Sequence, residues 1–414
     1  MVDQKIELIT IGDEILLGHT LDTNSNWIAS RLSEYGYHLR WITVVGDNAS
    51  DLRHQLRRAW NRADVVLLTG GLGATHDDIT RPVIADFFED EFVTRPEIAD
   101  RIRQRFADRG SEPPSGYEIL ADFPSRAVPI PNEHGSAPGI HYSFDEHELF
   151  AMPGVPVEMK GMMDNYILGV LETRRSGIYR HRIIKTAGIG ESRLAELIGD
   201  QACLSPAKLA YLPSIDHGVT LRISHAGQYD EEIDIVLMKT EEYLRSKVGK
   251  YIYTTGHVTL EKIILDILAD RNMKLAVAES CTGGLIASRI VSVPGSSVSF
   301  ERGFVTYSNQ AKVELLGVDE ELLEKCGAVS EEVAAGMAMG ARERAGVDVA
   351  VSITGIAGPS GGTPEKPVGL VYIGVDDHNG CEVQRHRFVG NRDTNRRRSA
   401  QAALVMLWQR LKDA

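Results

Sequence analysis

The stretch DVVLLTGGLGATHDD (residues 64–78) joins an uninterrupted apolar run to a glycine-rich loop that ends in two acids. An apolar run without polar alternation is typical of a strand that is buried on both faces, as in a parallel sheet. The runs IELITIG (6–12) and LRWITVVGD (39–47) are also strand-like, and DTNSNWIASRLSEYG (22–36) between them has the pattern of an amphipathic helix. Strands that alternate with helices predict an α/β domain around a parallel sheet, which we place at residues 1–175.

The rest of the chain predicts two further domains. Residues 176–252 combine short strand-like runs with a long helical stretch, which predicts a small α+β domain. Residues 257–414 return to the α/β pattern, with strands such as KLAVAES (274–280) and a closing helix TNRRRSAQAALVMLWQRL (394–411). The predicted fold class is therefore α/β with three domains. The apolar positions of the closing helix are predicted to be core: Ala403, Leu404, Leu407, Trp408 and Leu411.

Length and composition limit the classes of protein that fit. A chain of 414 residues is longer than one hydrophobic core usually allows, so two or three domains are expected. No segment approaches the roughly 18 consecutive apolar residues of a membrane span, and the N-terminus does not resemble a signal peptide. We therefore expect a cytoplasmic protein without a membrane partner. A formal net charge of -13 opposes direct nucleic-acid binding. The 4 cysteines are tens of residues apart, which excludes a CxxC zinc or redox motif and predicts free thiols.

The glycine-rich loop after the strand at 64–69 is a candidate phosphate site. Ligands of open α/β sheets bind outside the carboxyl ends of the strands, and glycines let backbone N–H groups approach a phosphate closely. The two acids that follow, Asp77 and Asp78, are predicted to hold a divalent cation such as Mg²⁺. The alternative is that they only cap the helix predicted to begin there. The predicted phosphate-binding residues of this loop are Thr69, Gly70, Gly71 and Gly73.

A second candidate site lies in AVAESCTGGLIASRIVSVPGSS (276–297), where Ser280 follows a strand and precedes a helix. N–H groups at such a turn can stabilise an oxyanion. A serine nucleophile needs a base, and no histidine lies between His257 and His378. The candidate base is Lys312, in a helix that Asn309 is expected to cap. There the helix dipole and partial burial both favour the neutral amine.

Other interpretations of this segment remain open. Ser280 can be a helix cap and Lys312 a surface lysine. Cys281 is a second candidate nucleophile, because a helix N-terminus lowers the pKa of a thiol. Ser–Lys pairs do replace Ser–His–Asp arrangements in known hydrolases, and Tyr307 can hydrogen-bond the pair or the substrate.

The loop AVSITGIAGPSGGTPEKPVG (350–369) can add ligand contacts to the second site. Thr354 and Gly355 stand where a strand ends, so they can offer donors to a ribose or a phosphate. The alternative is a flexible connector. Arg392 and Arg396 precede the last helix and suit a phosphate monoester, because guanidinium is permanently charged and bidentate.

Four N-terminal motifs resemble a known family. GDEILLG, DTNSNWIASRL, LLTGGLGATHDD and MPGVPVEMKGMM occur in the order found in the N-terminal domain of the CinA family (competence/damage-inducible protein), which is similar to molybdopterin-binding domains. The resemblance implies an ADP-ribose pyrophosphatase that uses a divalent metal and potassium. Many relatives have proline where this chain has Ala74, and asparagine or threonine where it has Asp13. These differences bear on metal binding and ligand preference.

Five C-terminal motifs resemble the second catalytic domain of the same family. AESCTGG, FERGFVTYSNQAK, GAVSEEVA, SITGIAGPSGG and KPVG are similar to the PncC-type nicotinamide-nucleotide amidase domain. The resemblance implies deamidation of nicotinamide mononucleotide without a cofactor, with Ser280 as nucleophile and Lys312 as base. It places Tyr307 and Thr354 in the site and Arg396 on the phosphate. It also implies a KH-like middle domain and a homodimer.

Two functional hypotheses follow from these residues. The first is a bifunctional salvage hydrolase of pyridine nucleotides. The second is a non-catalytic molybdopterin- or nucleotide-binding regulator linked to competence and recombination. Ser280 and Lys312 are both present, which favours the enzyme at the C-terminal site. A chain in which only one of the two sites works is a third possibility.

Overall fold

The fold is described from a computed structural model for residues 4–75, 78–113, 116–145, 147–174 and 177–413. It is a mixed α/β chain that divides into two units. The first unit is Met1–Arg180 with Ala226–Asp230, and the second is His181–His225 with Glu231–Ala414. Within the described residues, no helix has the length and apolar character that crossing a bilayer requires.

The first unit contains eight described strands, six in one main sheet and two in a small antiparallel pair. Its strands are β1 (Ile6–Ile11), β2 (Leu39–Val45), β3 (Val65–Thr69), β4 (Phe92–Thr94), β5 (Asp122–Pro124), β6 (Val128–Ile130), β7 (Gly139–Phe144) and β8 (His147–Met152). The small pair is β4 with β5. Its helices are α1 (Asp13–Leu16), α2 (Thr23–Glu34), α3 (Ala49–Trp60), α4 (Thr80–Phe87), α5 (Pro96–Asp108), α6 (Pro156–Met162) and α7 (Leu168–Thr173).

The main sheet has the strand order β2-β1-β3-β8-β7-β6. The first four strands are parallel, as the apolar runs predict, and every residue of β1 and β3 is buried. The two strands β7 and β6 extend the sheet in antiparallel pairing. Because β1, β3 and β8 are parallel neighbours, their carboxyl ends meet at one edge, where the glycine-rich loop begins.

The second unit contains a small sheet followed by a larger one. The first part comprises β9 (Ile178–Thr186), α8 (Glu191–Ile198), β10 (Lys208–Ser214), β11 (Gly218–Gly227), α9 (Asp230–Val248) and β12 (Ile252–Thr255). These strands have the order β10-β11-β9-β12. Strands β10 and β11 form an antiparallel hairpin in which Ser214 pairs with Gly218. The α+β prediction for this region is confirmed.

The C-terminal part of the second unit holds the Ser280 segment. Its strands are β13 (Leu275–Glu279), β14 (Phe300–Val305), β15 (Val349–Gly355), β16 (Leu370–Asp377) and β17 (Gly380–Arg387). Its helices are α10 (Leu260–Asp270), α11 (Leu285–Val291), α12 (Asn309–Leu316), α13 (Glu320–Cys326), α14 (Glu331–Ala345) and α15 (Arg392–Asp413).

The C-terminal sheet has the order β14-β13-β15-β16-β17, with β13 parallel to both of its neighbours. Helix α15 packs on this sheet, and all five of its predicted core positions are buried. Helix α14 packs on the opposite face through residues such as Val333 and Met337. Strand β13 is therefore buried on both sides, and its carboxyl end leads directly to Ser280.

Candidate active site

The turn after β13 is shaped by two glycines and by a bond to the neighbouring strand. Ser280 N–H donates to the Ile353 carbonyl at 3.0 Å, and Gly283 N–H donates to the Ser280 carbonyl at 3.1 Å. Gly283 and Gly284 have φ angles of +62° and +94°, a region that other residues rarely adopt. The chain can therefore turn sharply from β13 into α11 while Ser280 stays at the strand end.

Glu279 caps α11, a role that sequence reasoning missed. Its buried carboxylate accepts hydrogen bonds from the N–H groups of Gly284 (3.1 Å), Ile286 (3.1 Å) and Ala287 (2.8 Å). The alternative in which Ser280 caps this helix is therefore wrong. The sequence does contain a signal for this role, because Glu279 is an acid at the end of an apolar strand. A buried carboxylate needs several hydrogen-bond donors, and the start of a helix supplies them.

Lys312 is buried beside Ser280. Its side chain reaches back from α12, and Nζ donates to Ser280 Oγ at 3.2 Å and to the Thr306 carbonyl at 2.8 Å. Only 1% of Lys312 is exposed, so the surface-lysine alternative is wrong. The predicted cap of α12 is also corrected: Ser308, rather than Asn309, accepts a hydrogen bond from Ala311 N–H. Lys312 still lies in the first turn, as predicted.

The environment of Lys312 favours its neutral form. Burial lowers the pKa of the Lys312 ammonium from its usual value, because an apolar surrounding destabilises the charged group. The oxygen atoms around Nζ belong to a hydroxyl and to backbone carbonyls, which carry no charge. A neutral amine next to a serine hydroxyl is a competent general base.

Cys281 has the opposite character. It is 7% exposed, and burial raises the pKa of its thiol to about 12. The nearby Glu279 carboxylate raises this pKa further, although Lys312 and Arg396 oppose that effect. A thiol with such a pKa is protonated at neutral pH and is therefore a poor nucleophile.

A cavity of about 240 Å³ opens in front of this pair. Its wall contains Ser280 and Lys312 together with other residues that the sequence singled out: Tyr307, Thr354, Gly355 and Arg392. The Thr354 hydroxyl is engaged with the protein, since it donates to the Ala328 carbonyl at 2.7 Å. Thr354 thereby holds the 327–330 loop at the cavity wall.

Arg392, rather than Arg396, lines this cavity. The Arg392 guanidinium donates to the Gly358 carbonyl at 2.8 Å and to the Tyr307 hydroxyl at 3.0 Å. Tyr307 is 62% exposed, so it forms part of the cavity mouth. Arg396 lies behind the Ser280 turn, where it donates to the Thr282 carbonyl at 2.8 Å. Arg392 and Arg396 both lie in the first part of α15 rather than ahead of it as expected, and their spacing did not indicate which of them faces the cavity.

The glycine-rich loop of the first unit lies at the carboxyl edge of its sheet. Gly70 has φ +113°, and a Cβ there would lie 2.3 Å from the Ile11 carbonyl oxygen. Gly71 has φ +64°, and a Cβ there would lie 2.5 Å from Thr80 Oγ1. Thr69 is buried, and its hydroxyl donates to the Pro153 carbonyl at 3.0 Å. The loop therefore needs glycine and packs tightly against the neighbouring strand ends.

The predicted metal ligands are placed only in part. Asp77 lies outside the described residues. The Asp78 carboxylate accepts hydrogen bonds from the N–H (2.8 Å) and hydroxyl (2.5 Å) of Thr75, and α4 begins at Thr80, later than predicted. Across the described part of the chain, no group of three or more His, Cys, Asp or Glu side chains could hold a metal ion. Of the two predicted ligands only Asp78 is described, and its carboxylate is bonded to Thr75.

Family models match three consecutive parts of the chain. A "Probable molybdopterin binding domain" model matches residues 7–173, a "Damage-inducible protein CinA KH domain" model matches 181–254, and a "CinA C-terminal domain" model matches 257–411. The order agrees with the three-domain fold class predicted from the sequence.

Known proteins similar to this chain cover nearly its whole length. A putative competence-damage inducible protein from Caldicellulosiruptor saccharolyticus is 40% identical over 405 residues, which is 97% of this chain and 98% of that protein. A CinA-like protein from Chloroherpeton thalassium is 43% identical over 375 residues, 89% of each. A solved competence/damage inducible protein from Agrobacterium tumefaciens is 44% identical, covers 36% of this chain and 91% of its own, and has a TM-score of 0.35. By the identity and coverage of its full-length relatives, the chain belongs to the CinA family.

Proposed function

We propose that the C-terminal domain hydrolyses the carboxamide of nicotinamide mononucleotide to nicotinate mononucleotide and ammonia. The observation that carries this proposal is the contact between buried Lys312 and Ser280 at the wall of a cavity. An isolated buried lysine is costly to the fold unless a function or a partner compensates for it. Here its neighbour is a hydroxyl that requires a base before it can attack.

The proposed reaction proceeds through an acyl-serine. Ser280 Oγ attacks the carboxamide carbon while its proton passes to the neutral Lys312 amine. The resulting ammonium returns that proton to the amide nitrogen as the C–N bond breaks, and ammonia leaves. Lys312 then takes a proton from water, the hydroxide equivalent attacks the ester, and the proton returns to Ser280. Lys312 thus passes the first proton to the leaving ammonia and the second back to Ser280.

The oxyanion is assigned to the N–H of Cys281. Ser280 N–H is bonded to Ile353, Gly283 N–H to Ser280, and Gly284 N–H to Glu279, so these groups are occupied. The residue that follows a nucleophile commonly supplies an oxyanion donor. Cys281 borders the cavity, which is consistent with this assignment.

The phosphate monoester is assigned to Arg392. This guanidinium borders the cavity at its mouth beside Tyr307, and it forms no ion pair with the described acids around that cavity. A permanently charged bidentate donor suits a phosphate. Thr354 and Gly355 are proposed to contact the ribotide between the phosphate and the carboxamide, since both border the same space.

The direct test is product formation by the purified full-length chain. Nicotinamide mononucleotide is incubated with the protein, and ammonia and nicotinate mononucleotide are quantified together. Equal amounts of both products, without added metal, support the amidase. If neither product appears, or if the base is released as free nicotinamide, the proposal is wrong, and a binding or regulatory role becomes the better account.

For the N-terminal domain we propose hydrolysis of ADP-ribose to AMP and ribose 5-phosphate. The support is the position of the loop after β3: Gly70 and Gly71 turn the chain with positive φ at the carboxyl edge of the sheet, where open α/β sheets bind ligands. A divalent metal held by Asp77 and Asp78, with potassium, belongs to this proposal, and when bound it would polarise the pyrophosphate for attack by water. Release of AMP from ADP-ribose in the presence of Mg²⁺, and its loss in EDTA, tests the idea.

A further inference from the structure

The hairpin turn between β10 and β11 contacts the back of the Ser280 segment. Asp216, at the tip of this turn, accepts hydrogen bonds through its carboxylate from Arg397 Nε at 2.9 Å and from Arg397 Nη2. The backbone carbonyl of Asp216 accepts a further hydrogen bond, from Arg289 Nη2 at 2.6 Å. One residue of the middle domain therefore contacts two arginines of the C-terminal domain.

These two arginines belong to the two helices that adjoin the Ser280 turn. Arg289 lies on α11, which begins directly after Gly284 and whose first turn is held by Glu279. Arg397 lies on α15, the helix that starts at Arg392. Its neighbour Arg396 donates to the Thr282 carbonyl, within the Ser280 turn. Movement of either helix would therefore be transmitted to the turn.

Arg289 connects several elements through one buried guanidinium. Besides Asp216, it donates to Glu261 Oε1 on α10 at 2.6 Å and to Gln401 Oε1 on α15 at 2.8 Å. The Arg289 side chain is only 11% exposed. Loss of the Asp216 carbonyl would leave this buried guanidinium one acceptor short, although Glu261 and Gln401 would remain, so the hairpin contributes to the position of α11.

Polar contacts hold the hairpin tip at the edge of a cavity. A cavity of about 380 Å³ is bordered by Asp216, His217, Arg289 and Arg396. The bonds of Asp216 to Arg289 and Arg397 tie the tip to α11 and α15 at the edge of this cavity. Loss of the carboxylate would free the tip to move into the cavity and would take the carbonyl away from Arg289.

We infer that Asp216 is a positioning residue for the amidase site. Through Arg289 and Arg397 it holds α11 and α15 in the arrangement that sets the Ser280 turn opposite Lys312. The middle domain thereby contributes to deamidation although none of its described residues borders the 240 Å³ cavity beside Ser280. The expected effect of Asp216 on deamidation rests on the proposed function, whereas its expected effect on the position of the Ser280 turn does not.

The test compares Asp216→Ala with a matched control in the full-length chain. The control is Glu196→Ala, which removes an exposed middle-domain ion pair with Arg193 on α8. Two readouts are used: kcat and KM for nicotinamide mononucleotide, and the alkylation rate of Cys281 measured by peptide mass spectrometry. Cys281 sits in the turn, is 7% exposed and has a protonated thiol, so it is alkylated slowly in the folded chain, and a faster rate reports a change in the turn without requiring catalysis.

Asp216→Ala is expected to lower kcat/KM roughly five- to tenfold and to raise Cys281 alkylation by a similar factor. Glu196→Ala is expected to change neither. Alkylation of Cys326 serves as an internal reference, and it should stay constant. The double substitution Asp216→Arg with Arg397→Asp restores an ion pair at the same place and should recover part of the loss.

The inference is overturned if Asp216→Ala matches Glu196→Ala in both readouts. It is also overturned if Cys281 and Cys326 alkylation rise together, because that would indicate general destabilisation. If the unmutated chain releases no ammonia, the proposed function fails, and Cys281 alkylation alone then decides whether Asp216 positions the turn.

Discussion

Lys312 Nζ lies 3.2 Å from Ser280 Oγ, although the two residues follow different strands of the C-terminal sheet. Ser280 follows β13 and Lys312 belongs to the helix after β14, and these strands are parallel neighbours. Parallel strands present their carboxyl ends at the same edge, so the topology itself brings the hydroxyl and the amine together. A nucleophile and its base can therefore be assembled without histidine.

The pH dependence of deamidation should reflect Lys312. Its pKa is lowered by burial, and only the unprotonated amine can accept the Ser280 proton. The rate is therefore expected to rise as pH increases through the Lys312 pKa, which lies below the ordinary 10.5, and then to level off. A pH profile of kcat/KM checks this. A rate that falls as pH rises through this range would contradict a lysine base.

The free energy of unfolding should also depend on pH through Lys312. A lysine whose pKa is lower in the folded state binds fewer protons there than in the unfolded chain. The free energy of unfolding contributed by Lys312 is therefore expected to increase with pH between the folded and the unfolded pKa. Comparison with Lys312→Met, by urea unfolding at several pH values, isolates this contribution, because methionine has similar volume and no charge.

Glu279→Gln should weaken both the fold and the site. The carboxylate accepts three N–H donors at the start of α11, whereas glutamine would turn an NH₂ group toward some of them. Buried hydrogen bonds to charged groups contribute about 1.5–3 kcal/mol, so a loss of about 2 kcal/mol in the free energy of unfolding is expected. Urea unfolding measures it. The exposed Glu301→Gln on β14 is the control, and equal effects would remove the special role of Glu279.

Arg392→Ala should raise KM for nicotinamide mononucleotide with little change in kcat. Loss of a charge-assisted phosphate contact corresponds to roughly a ten- to hundredfold change. Nicotinamide riboside lacks the phosphate, so the variant should lose most of the preference for the mononucleotide over the riboside. Steady-state kinetics with both substrates measures this, with exposed Arg398→Ala as control. If Arg396→Ala abolishes the preference and Arg392→Ala does not, the phosphate assignment is wrong.

Gly70→Ala should disable the N-terminal loop. The φ of +113° is unfavourable for alanine, and the added methyl carbon would lie 2.3 Å from the Ile11 carbonyl oxygen. Strain of this kind costs about 1–3 kcal/mol before the steric clash is counted. Gly169→Ala on α7 is the control, since a Cβ there meets nothing within 4 Å. AMP release from ADP-ribose and thermal unfolding are measured for both variants. Equal effects of Gly70→Ala and Gly169→Ala would show that the loop does not require glycine at position 70.

Much of this architecture could be predicted from sequence patterns because it rests on apolar periodicity. The buried runs of β1 and β3 and the apolar face of α15 are local signals, and the structure confirms them. The antiparallel strands β6 and β7 were not predicted, since short strands at a sheet edge carry little periodicity.

The residues of the candidate site could be predicted only where a sequence motif also contained the side chains that the chemistry requires. Ser280 and Lys312 could be named because a serine at a strand end requires a base. Glu279 was missed because its role depends on where three N–H groups point, and Arg392 could not be separated from Arg396 because one helical turn decides which of them meets the cavity. Asp216 lies far from the site in sequence and has no local signal.

Whether Ser280 is the nucleophile is measured by the rate of ammonia release from nicotinamide mononucleotide by the unmutated chain, Ser280→Ala and Cys281→Ala, each shown to be folded by thermal unfolding. Ser280→Ala should lose at least about a thousandfold in kcat, while Cys281→Ala should stay within a few-fold of the unmutated chain. Retained turnover in Ser280→Ala, or loss confined to Cys281→Ala, would contradict it.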